Sequence, residues 1–177
     1  DDWSASLSIR GFSISLAEQQ IGMTIDGLPN GNSDYWGGGK PNRYIDSENL
    51  ERAAVSQGTA DIASPSHEAL GGTIDFVTRT PLDEQAFEVG ISYGEHNAQR
   101  YFGRFDTGMI ADNTKAYISG SFNHNRPWVE RGGHTNRSHI AVKIVTELDE
   151  WTLTGRFSRN DAYENNYQRI ALSQFLS

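Results

Sequence analysis

The sequence predicts a mainly β chain, in which an α+β N-terminal part precedes long antiparallel strands of a transmembrane β-barrel. Three observations lead to this prediction. Five consecutive segments after Pro81 alternate apolar and polar residues. The part before Pro81 instead mixes short β-like runs with glycine-rich loops. The connections between the later segments are short at one end and longer at the other.

Composition excludes several classes of protein. The 177 residues contain 15 Lys and Arg against 23 Asp and Glu, and the net charge of −8 argues against a nucleic-acid partner. Cysteine is absent, which excludes disulfides, thiolate zinc sites and cysteine nucleophiles. No run approaches the roughly 18 apolar residues of a membrane helix. The mean hydropathy of −0.59 is nevertheless compatible with a barrel, because alternating strands keep average hydropathy low.

The N-terminal part contains three β-like runs, which are Leu7–Phe12, Ile21–Ile25 and Gly72–Thr78. A short helix is predicted over Ser47–Ala54, with Asp46 or Ser47 as its cap. The segment Asn30–Arg43 is rich in Gly and Asn and is predicted to be a loop. Its length favours a functional role over that of a simple connector.

The regular part predicts five strands, centred on Phe87–Tyr93, Tyr101–Asp106, Ala116–Asn123, Ile140–Leu148 and Trp151–Ser158. Each runs for about nine to eleven residues, the length of a transmembrane β-strand, whereas soluble strands are usually shorter. A soluble antiparallel sheet with one wet face alternates in the same way and is the other interpretation.

The connections favour the barrel: the short ones are Ile110–Thr114 and Asp149-Glu150, and the longer ones at the opposite end are Glu95–Ala98 and Val129–Arg137. Trp151 and Trp128 lie beside a short and a long connection, where two aromatic girdles would be. Five strands cannot close a barrel. The chain also begins Asp1-Asp2-Trp3 without Met or a signal peptide. We therefore expect it to be a piece of a longer protein.

Four motifs follow one another in the N-terminal part: SIRGF (8–12), TIDGLP (24–29), NLERAAVSQG (49–58) and ALGGTIDFVT (69–78). This ordered series resembles the plug domain of TonB-dependent outer-membrane transporters, and the alternating strands resemble the first strands of the barrel in that family. The resemblance implies a plug inside a barrel of about 22 strands. It divides the chain into a plug over 1–80, a linker over 81–85 and barrel strands over 86–177.

The function implied by the resemblance is import of a scarce nutrient across the bacterial outer membrane, most often a ferric siderophore. The expected partners are a periplasmic TonB-type energy-coupling protein, a small-molecule ligand such as a ferric chelate, and outer-membrane lipid. In the family the TonB-contacting segment precedes the first motif, and nothing like it occurs in Asp1–Ser6. No cofactor is expected.

The predicted substrate-binding residues are Tyr35, Trp36, Lys40 and Arg43. The resemblance implies that the loop containing them faces the ligand. Two aromatic faces and two positive charges suit an anionic, partly aromatic ferric chelate. The other interpretation is that the aromatic residues pack the loop against the barrel wall.

The charged residues Arg10, Glu51 and Arg52 lie in segments that must pack inside a polar lumen, and we expect structural ion pairs there. No catalytic or metal site is predicted, since the chain lacks a G-x-S-x-G elbow and compact histidine spacing. A secreted carbohydrate-binding module, with Tyr35 and Trp36 as stacking platforms, is the alternative function. An outer-membrane hydrolase is a weaker alternative because a nucleophile and base pair is missing.

Overall fold

The computed structural model describes residues 7–9, 12–14, 21–30, 44–57, 71–126 and 133–163. They form a two-stranded, a four-stranded and a five-stranded sheet, which confirms the mainly β fold. Within the described part of the chain, no helix is long and apolar enough to cross a membrane.

The N-terminal strands are short: β1 (Leu7–Ile9), β2 (Phe12–Ile14), β3 (Gly22–Ile25), β4 (Leu28–Pro29), β5 (Leu50–Gln57) and β6 (Gly72–Thr78). β1 pairs with β2, and the other four form a sheet in the order β4-β3-β6-β5, with β3 and β6 parallel. The core of this sheet consists of buried Ile21, Met23 and Ile74, with Phe76 packed against them. Each large apolar side chain contributes roughly 1.5–3 kcal/mol on burial, so this core is small.

Glycine determines two backbone features of the N-terminal sheet. Asp26 and Gly27 form the two-residue turn between β3 and β4, with φ angles of 50° and 76°. Positive φ at both positions is what a type I′ hairpin turn needs, and Asp-Gly is a favoured sequence for it. At Gly72, φ is 128° and an added Cβ would lie 2.2 Å from the carbonyl oxygen of Ser56. Gly72 therefore permits a close backbone approach that a side chain would block.

The predicted helix over Ser47–Ala54 is wrong. Ser47–Asn49 form one turn of 3-10 helix, and β5 begins at Leu50. An eight-residue helix is marginal in isolation, whereas β5 gains a ladder of backbone hydrogen bonds with β6 from Arg52 to Gln57. The Asp46 side chain makes no capping hydrogen bond and is used elsewhere.

The C-terminal strands are long: β7 (Gln85–Gly94), β8 (Ala98–Ala111), β9 (Thr114–Asn125), β10 (Thr135–Leu148) and β11 (Trp151–Tyr163). They form one antiparallel meander in chain order. All five predicted strands are present, but four of them have 12 to 14 residues and exceed the expected length. Pairing continues beyond the apolar stretch, since Asn136 still pairs with His124 and Tyr163.

The two faces of the long sheet have the reverse polarity of a soluble sheet. On β10, Arg137, His139 and Lys143 are buried, while Ile140 and Ile144 are 48% and 43% exposed. The same alternation continues on neighbouring strands, and the largest exposed side chains include Phe87, Tyr93, Trp151 and Phe157. A polar inner face and an apolar outer face are the signature of a membrane barrel wall.

Candidate functional site

The N-terminal sheet is attached to the inner face of the long sheet by a polar group of residues that we call the Asp46 cluster. Its members from the N-terminal part are Asp46, Glu48 and Asn49, and those from the long strands are Arg100, Arg104, Ser119, Ser121 and Arg137. The three N-terminal residues lie in or beside the single 3-10 turn that precedes β5. This turn presents three polar side chains within four positions toward the wall.

Asp46 is the centre of the cluster and is almost completely buried. Its Oδ1 accepts hydrogen bonds from Ser121 Oγ at 2.8 Å and from Arg137 Nη1 at 3.0 Å. Arg100 Nη2 lies 3.4 Å from the same oxygen. One carboxylate oxygen therefore joins β8, β9 and β10 to the N-terminal part of the chain.

Glu48 forms a two-pronged ion pair with Arg100. Arg100 Nε donates to Glu48 Oε1 at 3.0 Å and Nη2 donates to Oε2 at 2.5 Å. Partial burial works to raise the pKa of Glu48, but the hydrogen bonds and positive charge of Arg100 outweigh it and hold that pKa below its ordinary value. The pair is thus fully ionised at neutral pH.

Asn49 completes the turn and bonds to two strands of the wall. Its Nδ2 donates to Ser119 Oγ at 2.7 Å, and its Oδ1 accepts from Arg104 Nη1 at 3.3 Å. Arg104 is itself fixed by two bonds of 2.7 Å to Asp106, and its guanidinium lies 3.9 Å from the centre of the Tyr117 ring. The wall side of the contact is therefore held in place before the turn binds to it.

A second contact joins β6 to β10. Lys143 Nζ donates to Thr78 Oγ1 at 2.9 Å and to the Thr78 carbonyl at 3.0 Å, and Asp26 Oδ2 lies 3.7 Å away. Asp26 in turn accepts from the backbone N–H and the hydroxyl of Thr78. The end of β6 and the Asp-Gly turn are thereby fastened to the wall by one lysine.

These contacts attach the N-terminal sheet to the inner face of the long sheet. They are hydrogen bonds and ion pairs between groups that water can also solvate. Each contact is therefore stable where water is excluded and weak where water reaches it. Among the described residues, no group of three or more His, Asp and Glu side chains is placed to hold a metal ion.

The predicted substrate-binding residues Tyr35, Trp36, Lys40 and Arg43 lie outside the described residues. Their role stays a prediction.

The predicted ion-pairing residues are only partly described. Arg10 lies outside the described residues, whereas Glu51 and Arg52 are exposed on β5. Their pairing likewise stays a prediction. Trp128, expected in an aromatic girdle, also lies outside the described part, while Trp151 is 73% exposed beside its short turn.

Sequence reasoning missed the Asp46 cluster. Asp46 was expected only as a helix cap, and four cations on the inner face of the wall, three buried and one partly buried, were left unassigned. A signal was available: Arg100, Arg104, Arg137 and Lys143 all occupy the polar phase of alternating strands. Four cationic side chains on one inner face require acidic partners from the part of the protein that packs inside the barrel.

Comparison with known proteins shows what this arrangement is similar to. Residues 1–73 match the family described as TonB-dependent Receptor Plug Domain. The N-terminal part of this chain is similar to a TonB-dependent receptor plug. The matched region ends inside β6, and the five-stranded wall follows it.

Solved structures match both parts of the chain. The siderophore receptor PiuA from Acinetobacter baumannii is 21% identical with a TM-score of 0.65, covering 90% of this chain and 21% of that one. The ferric yersiniabactin uptake receptor FyuA from Yersinia pestis is 16% identical with a TM-score of 0.69, covering 90% and 26%. The pyoverdine receptor FpvA from Pseudomonas aeruginosa is 18% identical with a TM-score of 0.66, covering 89% and 22%.

These likenesses establish a plug followed by barrel strands, the fold class predicted from the sequence. The chain spans about a fifth to a quarter of the length of the structures it matches. Among curated proteins compared by sequence, none matches the chain. The family and the apolar outer face of the wall place it in the bacterial outer membrane.

Proposed function

We propose that the receptor containing this chain imports a ferric siderophore or a similar iron complex across the bacterial outer membrane, driven by a periplasmic TonB-type protein. The observation that carries the proposal is a receptor plug bound to the polar face of a barrel wall through the Asp46 cluster. Among the described residues the plug is held to the wall by polar contacts, and a partner that pulls on it can displace it because water satisfies the groups it leaves.

The similar structures support iron as the cargo. One is the pyoverdine receptor FpvA bound to pyoverdine, and another is the ferric yersiniabactin uptake receptor FyuA. These ligands are those of the similar proteins, and we apply this ligand class to the present chain only as part of the proposal.

Connection lengths orient the wall. The turns Asp112-Asn113 and Asp149-Glu150 lie at one end, where the plug also joins β7, and the connection from 126 to 134 lies at the other. Barrels place short turns in the periplasm and longer loops outside the cell. The plug therefore enters the wall from the periplasmic end, and the turn formed by residues 95–97 faces the outside.

The division of the chain stays as expected from the sequence: plug over 1–80, linker over 81–85 and barrel strands over 86–177. It is supported by the end of β6 at Thr78 and the start of β7 at Gln85. Import of this kind releases its cargo unchanged, so the proposed protein is a transporter and not an enzyme.

The loop that carries Tyr35, Trp36, Lys40 and Arg43 is proposed to contact the iron complex. Aromatic faces and positive charges together bind anionic chelates with aromatic groups. In the full-length receptor, the double substitution Tyr35→Ala and Trp36→Ala should weaken ligand binding by more than about tenfold. Unchanged affinity would remove this loop from the binding site.

The test of function is iron uptake by cells that express the full-length receptor. Cells lacking other iron receptors would be given radioactive iron(III) complexes of pyoverdine, yersiniabactin, citrate or acetohydroxamate, with and without TonB. We expect binding on ice in both strains and uptake on warming only where TonB is present. Uptake without TonB, or no binding of any complex, would contradict the proposal; oligosaccharide binding would then be measured for the carbohydrate alternative.

A further inference from the structure

A buried histidine lies inside the contact between the plug and the wall. His139 is on the inner face of β10 and is only 1% exposed. Neither of its ring nitrogens makes a hydrogen bond within the described residues. Buried polar side chains usually have a hydrogen-bond partner, and histidine is the side chain whose charge changes near neutral pH. The structure thus places a titratable group without a partner in the contact that holds the plug.

The strand register places this histidine beside the Asp46 cluster. Its Cα partners are Ser121 on β9 and Asn160 on β11, neither of which carries a charge. Arg137 precedes it by two residues on the same face of β10. Ser121 and Arg137 both donate to Asp46 Oδ1, at 2.8 and 3.0 Å. The imidazole therefore lies next to the residues through which Asp46 attaches the plug.

The charged groups that face His139 are mostly positive. Asp46 faces it from the plug, Arg137 from its own strand and Arg156 from β11. The Asp46 carboxylate is already shared, since its Oδ1 lies 3.0 Å from Arg137 Nη1 and 3.4 Å from Arg100 Nη2. Two guanidinium groups therefore act on the imidazole against one carboxylate whose charge is largely neutralised.

A proton on His139 is costly while the plug is in place. The imidazolium ion has two N–H donors, and neither ring nitrogen has an acceptor beside it among the described residues. Burial also excludes water, so that repulsion by Arg137 and Arg156 is stronger than it is in solution. When the plug leaves, water reaches the ring and solvates the charge. The attached plug therefore favours the neutral imidazole.

We propose that His139 makes the attachment of the plug sensitive to pH, because protonation of its imidazole weakens the contact between the plug and the wall. In the detached state the solvated imidazole binds a proton near the ordinary histidine pKa, about 6.5. The attachment is therefore strongest above that pH and weakens as the pH falls through it. The inference concerns how the plug is held and does not depend on which cargo the receptor imports.

The test uses the full-length receptor in lipid vesicles, with a nitroxide on Tyr44→Cys and all other cysteines removed. The carbonyl of residue 44 accepts a hydrogen bond from Arg156 on β11, so the label reports whether this part of the plug is attached. Urea is fixed at the concentration where half of the label is mobile at pH 7.5. We expect the ratio of mobile to immobile label to rise about tenfold between pH 7.5 and 5.5, as when one imidazole is protonated only in the detached state.

The deciding variant is His139→Asn, which removes the titrating group and should abolish this rise. His96→Asn is the matched control, since His96 is exposed in the turn formed by residues 95–97 and has a φ of 54°, which asparagine tolerates. It should keep the rise. The urea concentration is set separately for each variant at pH 7.5, so that a change in stability does not enter the comparison. If His139→Asn does not assemble, His139→Gln decides.

Each outcome has a definite meaning. A rise that the His139 variant loses and His96→Asn keeps supports the inference. A wild-type ratio that stays constant overturns it, and so does a rise that both variants keep or both lose. A ratio that falls on acidification would show that the imidazolium ion pairs with Asp46 and strengthens the contact, which also overturns it. Iron uptake is measured separately, so none of these results decides the proposed import.

Discussion

The two main sheets of this chain bury opposite kinds of surface. The plug sheet packs Ile21, Met23 and Ile74 together, as any water-soluble sheet does. The barrel wall buries Arg104, Arg137 and other polar groups and exposes its apolar side chains. The difference shows that the wall has lipid outside and protein inside, whereas the plug sheet has its own small core.

The contrast also explains how the two sheets stay together. An apolar plug surface would have no partner on a polar inner wall, so the contact is made of matched charges and amides. The 3-10 turn from Ser47 to Asn49 supplies them, because one turn places neighbouring side chains toward several strands. The described part of the plug therefore has its own small core and contacts the wall through polar groups, which is consistent with the proposed displacement of the plug.

The largest expected effect concerns the centre of that contact. Asp46→Ala should weaken the free energy of plug binding to the wall by roughly 3–5 kcal/mol, because Arg137 and Ser121 then lose their buried acceptor. A nitroxide on Tyr44→Cys, in a receptor freed of other cysteines, would report the urea concentration at which the plug turn becomes mobile.

Asp83→Ala is the matched control for that measurement. Asp83 is largely exposed and pairs with Lys115 at the periplasmic end, so its loss should cost less than about 1 kcal/mol. If both variants release the turn at the wild-type urea concentration, the Asp46 cluster does not hold the plug.

A smaller effect is expected on the outer face. Ile118 is 51% exposed on β9, and Ile118→Arg should destabilise insertion by about 2–4 kcal/mol because it places a charge in lipid. Ser138→Arg is the control, since Ser138 lies on the same face nearer the outward rim, where a charge costs about 0–1 kcal/mol. Urea titration of the receptor in lipid vesicles measures both. Equal costs would mean that water and not lipid covers this face.

The smallest effect is a pH dependence. Because Arg100 lowers the pKa of Glu48, the pair stabilises the docked plug above the ordinary glutamate pKa, about 4.3. That contribution is lost as the pH falls through the lowered pKa. The nitroxide at residue 44 should therefore gain mobility as the pH falls through the lowered pKa of Glu48, and Glu48→Gln should reduce this pH response. A response unchanged by Glu48→Gln would assign it to other carboxylates.

The sequence predicted most of the fold because alternation is a local property. Period-2 patterns located all five barrel strands, and Asp26-Gly27 marked the hairpin turn in the plug. The strands were predicted too short, since pairing extends into polar residues such as Asn136 that carry no apolar signal. Whether the 30–43 loop binds ligand was predicted from its residue types and stays a prediction.

Two features were decided only by the tertiary structure. Residues 50–57 form a strand because β6 lies beside them. Local propensity depends only on neighbouring residues in the sequence and carries no information about that partner strand. Asp46 meets Ser121 and Arg137 across 75 and 91 positions of sequence. The sequence shows which inward-facing positions carry a positive charge, but any of several acidic residues could pair with them. Only the seating of the plug against the wall selects the pairs, because the energy of a buried charge depends on the partner within hydrogen-bond reach.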